Sequence, residues 1–182
     1  QPVLMQRLES EITANEAPVS NILHSMLAEA YWQYFQNNRY KFYNRTETVS
    51  FNNDDILTWS LAQIFDKIIN EHQLALQNES ILKKIPVEQF KDIIILALRE
   101  KNGNPRPTLF DFLANRAIDF YQNDESSINK PVYEFQLSDD AIFKSSQDFI
   151  NHTFEAKEQT NLKLAAVKTF QKLEAFHQND KD

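Results

Sequence analysis

LHSMLAEAYWQYFQNNRYKFYNR, residues 23–45, is the stretch whose reading decides the fold. It crowds Tyr31, Trp32, Tyr34, Phe35, Tyr40, Phe42 and Tyr43 into a short length of chain. Each buried aromatic side chain removes roughly 150–250 Å² from water, so a cluster of this size becomes a core. Ile22, Leu23, Met26, Leu27, Ala30, Tyr31, Tyr34 and Phe35 recur at three-to-four spacing and predict a helix from Pro18 to about Gln36. Pro18 suits the first helical turn, where no amide donor is needed. Beyond Asn37 the period changes. Tyr40 and Phe42 fall on one side of an extended chain and Arg39, Lys41 and Tyr43 on the other, followed by polar TETVSFNN. The expectation is a long connection, residues 37–53, anchored by its own aromatics.

Working outward, Val3, Leu4, Leu8 and Ile12 predict a short first helix over residues 2–15. Asp54 and Asp55 place carboxylates where a helix N-terminus favours them, and Ile56, Leu57, Leu61, Ile64, Phe65, Ile68 and Ile69 continue that helix to about Gln77, with Trp59 packing beside it. Residues 80–85 read as one or two turns, and Pro86 resets the path. Residues 90–99 are apolar all round and expected to be deeply buried. Their β-branched triplet Ile93, Ile94 and Ile95 suits helix or strand, and the helical neighbours favour helix.

KNGNPRP, residues 101–107, is the strongest breaker, after which Thr108 caps a helix carrying Leu109, Phe112, Leu113, Arg116, Ala117, Phe120 and Tyr121. PVYEFQL, residues 131–137, alternates as a strand would, and its only prospective partner is the segment 39–43. Ser138, Asp139 and Asp140 open a short helix near Ile142 and Phe143, and another turn surrounds Phe149 and Ile150. Thr160 caps a last amphipathic helix with Leu162, Ala166, Phe170, Leu173 and Phe176, running to about His177. The fold class expected is all-α: an irregular array of solenoid-like helical hairpins, with one long aromatic-anchored connection and at most one short extended pair. Residues 1–182 are expected to form a single helical domain.

Composition narrows the chemistry. The 182 residues are 42% hydrophobic, 12% aromatic and 25% charged, the profile of a chain that folds. Gly103 is the single glycine, so neither a phosphate-cradling loop nor a dinucleotide fingerprint can be built. With no cysteine there are no disulfides, thiol nucleophiles or thiolate metal sites. A net charge of -7 opposes the phosphate neutralisation on which duplex nucleic-acid binding depends. The longest apolar run, IIILAL at residues 93–98, is far short of the roughly 20 residues that span a bilayer. The chain opens QPVLMQRL and stops in HQNDKD, as expected of a piece excised from a longer protein.

No catalytic, cofactor-binding or metal-ligating residue is assigned. His24, His72, His152 and His177 are scattered without metal-ligand spacing. Asp148 and His152 share a helical face, a spacing more often a solvated pair than an oriented imidazole. Ser145 and Ser146 lack a nearby base, and no nucleophile elbow can form. Asp54 with Asp55, and Asp139 with Asp140, read as caps, and Glu155 with Glu158 as a solvated face. RYKFYNR interleaves basic and aromatic residues as single-strand binders do, yet in an acidic chain it reads better as rings tucked into a core, with Arg39, Lys41 and Arg45 reaching outward. The sequons at Asn44, Asn78 and Asn151 carry no weight in so asparagine-rich a chain.

Taken in order, LHSMLAEAYWQYFQNNRYKFYNRTETV (23–49), DDILTWSLAQI (54–64), ILKKIPVEQFKDII (81–94), RPTLFDFLANRAIDFY (106–121) and KPVYEF (130–135) resemble the N-terminal helical region of the large bacterial alpha-2-macroglobulin-like proteins. The resemblance spans most of residues 20–177. It implies a periplasmic or envelope-anchored parent that entraps attacking proteases once a bait segment is cut. The family's thioester motif is absent, and its macroglobulin domains are β-sandwiches, so no functional residue carries over. The role implied for residues 1–182 is that of a non-enzymatic interaction or scaffold module, packing against neighbouring domains of the same chain or an envelope protein. It would meet proteases only through the full-length protein, and would bind no cofactor, metal or nucleic acid. The alternative is an independent helical-repeat adaptor for a peptide or protein partner.

Overall fold

A computed structural model describes residues 2–43, 55–93, 107–123, 143–155 and 161–180. Among these the chain is an all-α helical array: α1 (Pro2–Ala14), α2 (Val19–Asn37), α3 (Arg39–Tyr43), α4 (Leu61–Ala75), α5 (Glu79–Leu82), α6 (Leu109–Tyr121), α7 (Ser146–Asn151) and α8 (Leu162–His177). No described helix is long and apolar enough to cross a membrane. The chain packs as two units, residues 1–113 and 114–182, the division falling within α6.

In the first unit α2 is the central element, with α1 against one side and α4 against another. Its rings make the core: Phe35 meets Phe65 of α4 edge-on at 5.2 Å, and Trp32 meets Phe65 at 5.9 Å. Ile64 and Ile68 of α4 are fully buried, as are Leu27, Ala28 and Phe35 of α2. The sequence stripe needs adjusting at its edges. On α1 it is Met5 and Leu8 that are buried, while Val3 and Leu4 point outward. On α2 Met26 is exposed, and the small or polar Asn21, Ser25 and Ala28 take buried positions.

Residues 39–43 are helical, not extended. Asn38 stops α2 by donating from Nδ2 to the Tyr34 carbonyl at 2.9 Å, and its own carbonyl accepts from Lys41 N at 2.9 Å, opening a new turn. A helical turn separates Tyr40 and Phe42 by about 200°. Phe42 is therefore buried against Phe35, at 5.6 Å, and against Tyr34, at 6.1 Å, while Tyr40 is 86% exposed. The two-residue alternation is the wrong period for a chain that already has a helical surface to pack on. Residues 39–43 therefore do not supply half of an extended pair, and residues 131–137, like 44–54, lie outside the described residues.

Asp55 caps a separate 3-10 turn, Ile56–Thr58, accepting from Leu57 N, and α4 begins afresh at Leu61. Ser60 and Gln63 form a reciprocal capping box there: Ser60 Oγ accepts from Gln63 N at 3.3 Å, and Gln63 Oε1 from Ser60 N at 2.7 Å. The 3-10 turn leaves Leu57 exposed and puts Trp59 inside. Beyond α4 the chain passes through Asn78, at φ 59° and ψ 38°, a left-handed conformation that asparagine tolerates better than most residues.

After α5, Pro86 and Thr108 form an isolated antiparallel bridge: Val87 N donates to Pro107 O at 3.0 Å and Leu109 N to Ile85 O at 2.8 Å. Of the apolar segment 90–99, Phe90 ends a 3-10 turn and Ile93 is 70% exposed, which corrects the expected burial at that end. Residues 94–106 lie outside the described set. Thr108 caps α6 as expected, with Asp111 as its reciprocal partner: Asp111 N donates to Thr108 Oγ1 at 3.2 Å, while Asp111 Oδ2 accepts from Thr108 Oγ1 at 2.7 Å and Thr108 N at 2.9 Å.

In the second unit α7 packs on α8. Phe154, Leu164 and Val167 form its apolar centre, with Phe149 against them. Gln171 Nε2 reaches back from α8 to the carbonyls of Phe149, at 2.7 Å, and His152, at 2.8 Å, satisfying the end of α7. Asn161, not Thr160, is the observed cap of α8, its Oδ1 accepting from Leu164 N at 3.0 Å. Residues 124–142 and 156–160, which hold the expected helix opening at Ser138 to Asp140, the position of Thr160 and the Glu158 half of an acidic pair, are outside the described residues. Phe143 beside them is 81% exposed.

Candidate functional site

The strongest concentration of chemistry among the described residues is a charged relay where α1, α2 and α4 meet. α4 repeats Leu61, Ile64, Ile68, Glu71 and Ala75 at alternating three- and four-residue steps, so Glu71 sits in line with its apolar face. Glu71 is 2% exposed. Burying a carboxylate requires partners, and two are present: Glu71 Oε2 lies 2.6 Å from His24 Nδ1 of α2, and Oε1 lies 2.9 Å from Lys67 Nζ one turn earlier on α4. Burial works to raise the Glu71 pKa, but the hydrogen bonds from His24 and Lys67, with their charges, outweigh it and leave the carboxyl below its ordinary value.

The relay continues to α1. Lys67 Nζ stands 3.6 Å from Glu9 Oε1, and the same oxygen accepts from the Tyr31 hydroxyl at 3.0 Å. Lys67 also lies over the Tyr31 ring, 5.6 Å from its centroid. Burial, and then the Glu9 carboxylate, push the Tyr31 phenol well above its usual range, so it remains a donor. Three helices are thereby tied by one alternating row of groups: His24, Glu71, Lys67, Glu9, Tyr31.

A second polar contact reinforces the α2–α4 seam. Asn21, 2% exposed, donates from Nδ2 to the carbonyls of Ala75 at 3.1 Å and Gln77 at 2.9 Å, with Leu74 at 3.4 Å. Ala75 and Gln77 lie at and just past the end of α4, where carbonyls lack the donors of the helix interior, and the Leu74 carbonyl also accepts from Gln77 N at 3.1 Å.

The other residues weighed from sequence are placed apart. The Asp148 carboxylate accepts from Ser145 Oγ at 2.8 Å, and the His152 ring stands on Phe154, centroids 4.5 Å apart, so this pair does not assemble an oriented imidazole. Ser146 donates to Glu174 of α8. His177 pairs locally with Asp180 at 2.6 Å. In the basic aromatic segment Phe42 is buried, but Tyr40 and Tyr43 are exposed, so only part of that ring cluster turns inward. No group of three or more histidine, aspartate or glutamate side chains suited to a metal ion occurs among the described residues.

Motif content gives no sign of the His24–Glu71 contact, because its members are 47 positions apart in sequence. The available signal is Glu71 itself, a carboxylate interrupting an otherwise apolar helical face with a lysine four residues before it. Chemically the row can clamp the three helices together through charge and hydrogen bonds. No family model, curated protein or solved structure matches this chain.

Proposed function

We propose that this chain is a non-enzymatic helical interaction or scaffold module. One observation carries the reading: α2 turns its rings inward, while its outer ridge Val19, Leu23, Met26 and Ala30 is apolar and carries no charged group. Val19 and Met26 are 44% and 49% exposed and Leu23 and Ala30 are half-buried, so this ridge of the central helix is partly open to water. A contiguous apolar strip is what a helix presents to another protein surface. The charged row at Glu71 acts in this reading as a tie between helices that keeps the ridge on a fixed frame.

The parent we propose is a protease-trapping envelope protein of the alpha-2-macroglobulin type, on the strength of the ordered sequence blocks, with neighbouring domains of the same chain as occupants of the ridge. Site-specific photocrosslinking from position 26 in the protein expressed from its natural gene tests both steps. Crosslinks within one polypeptide, together with β-sandwich repeats downstream in the reading frame, are expected. Crosslinks to a separate protein would favour the adaptor reading. Their complete absence, with Met26→Lys leaving every property of the protein unchanged, would overturn the interaction role.

A further inference from the structure

We propose that His24 is a phosphoryl-acceptor site, in which Nε2 of a ring held by buried Glu71 takes the group from a small donor of the phosphoramidate class. The proposal goes beyond the interaction reading and does not depend on it. The geometry is that of an oriented nucleophile. His24 Nδ1 lies 2.6 Å from Glu71 Oε2, its one hydrogen bond among the described residues. Glu71 is fixed in turn, its side chain 3% exposed and its other oxygen 2.9 Å from Lys67 Nζ. A carboxylate on one ring nitrogen sets the tautomer and the ring orientation, placing the proton on Nδ1 and the lone pair on Nε2. The His24 side chain is 17% exposed. Its Nε2 has no hydrogen-bond partner among the described residues and is not a buried atom, so the lone pair is open to water and small solutes. The other histidines lack this combination. His72 is 3% exposed, and the His152 ring stands on Phe154. His177 Nδ1 meets Asp180 at 2.6 Å, but that carboxylate is 69% exposed, so water screens the pair.

No hydroxyl is hydrogen-bonded to His24, so the ring is not placed as the base of a neighbouring nucleophile, and a group that it attacks stays on the ring. An acyl group on imidazole is soon lost to water, whereas a phosphoryl group persists, which selects phosphoryl transfer. In the step, Nε2 attacks phosphorus and a new N–P bond forms there. The donor's own N–P bond breaks, and its electron pair leaves on ammonia. With zwitterionic phosphoramidate the three N–H hydrogens depart with that nitrogen, so no other proton moves. The ring gains a positive charge as the bond forms. Glu71 already lies against Nδ1, where a fixed carboxylate stabilises that charge in the transition state and in the product.

Incubation of the full 182-residue chain with potassium phosphoramidate at mildly alkaline pH tests the site. Intact mass, fragment mapping and phosphorus NMR read the number, position and ring nitrogen of the label. The expected result is one phosphoryl group, on Nε2 of His24, acquired at least about tenfold faster than on His72, His152 or His177. Glu71→Gln removes the carboxylate charge but keeps an acceptor for Nδ1, and should slow labelling of His24 about tenfold or more while leaving His177 unchanged. His24→Gln should abolish the fast label. If circular dichroism shows Glu71→Gln to be unfolded, the wild-type preference for His24 over His177 and for Nε2 over Nδ1 decides alone. Failure of His24 to take the label, labelling of His177 as fast as His24, linkage through Nδ1, or a rate indifferent to Glu71→Gln in the folded variant overturns the proposal.

Discussion

The indole of Trp59 is stacked on the phenol ring of Tyr31, centroids 5.4 Å apart and planes inclined by 25°. Trp59 belongs to the turn that leads into α4 and Tyr31 to the middle of α2, so the stack fixes the approach of one helix to the other. Trp59 is 6% exposed, and Trp59→Ala removes nearly all of that contact. The expected loss is about 3–5 kcal/mol, a large share of the stability of an ordinary domain. Urea denaturation followed by far-ultraviolet circular dichroism measures it, and Trp59→Phe, which keeps a ring to stack, should lose less than half as much.

Acid should weaken the first unit through Glu71. Folding lowers its pKa below the ordinary value of 4.5, so the unfolded chain binds that proton more tightly than the folded one. Its stabilisation is therefore complete well above pH 4.5 and is lost as pH falls through the lower, folded value. Glu71→Gln should remove this component of the acid loss. At neutral pH the same variant should cost about 1–2 kcal/mol, because a charge-assisted hydrogen bond to Lys67, which keeps Glu9 nearby, is exchanged for a neutral one. Urea midpoints at a series of pH values between 2 and 7 check both the sign and the size.

Asn21 separates hydrogen bonding from charge. Asn21→Ala leaves the terminal carbonyls of α4 without their buried donor and should cost about 1–3 kcal/mol. Asn21→Asp should be worse than alanine at pH 7, because a carboxylate would face carbonyl oxygens in a site 2% exposed. Lowering the pH to 4 should narrow the gap between the two variants. Equal stability at pH 7 would show that the side chain does not engage the end of α4.

The cap of α6 can be tested in the same way. Thr108→Ala should cost about 1 kcal/mol and Thr108→Ser only a fraction of that, since serine keeps the oxygen that accepts from Asp111 N. Thermal melts of the two variants side by side read the difference.

In the second unit, Gln171→Ala should loosen α7 selectively. The lost donors serve the Phe149 and His152 carbonyls, so amide exchange over residues 146–151 should accelerate severalfold while α8 remains protected. Glutamate at the same position, which offers no donor, should behave like alanine.

The helices are legible in the sequence wherever an apolar face runs for three turns or more, as in α2, α4, α6 and α8, because burial on one side imposes that spacing. The chain from Arg39 to Tyr43 is not, because five residues cannot distinguish a period of two from one of 3.6, and the surface already built by Phe35 and Tyr34 decides the matter. The split of the Asp55 to Leu61 region into a 3-10 turn and a fresh helix is hidden because both pieces carry apolar residues. Its one sequence mark is the Ser60 and Gln63 capping box that separates them. The charged row is invisible for a different reason. Its contacts bridge α1, α2 and α4, and only the packing of Glu71 beneath α2 brings His24 to it.

Trp32 and Trp59 are the two tryptophans of the chain, and both lie in the first unit. The molecule thus carries an intrinsic indole reporter for one half of itself and none for the other. Indole emission will follow the melting of the α2–α4 seam and stay blind to α7 and α8, whereas backbone dichroism sees every helix. A gap between the two curves would reveal two independent cooperative transitions in one polypeptide, without any label being attached.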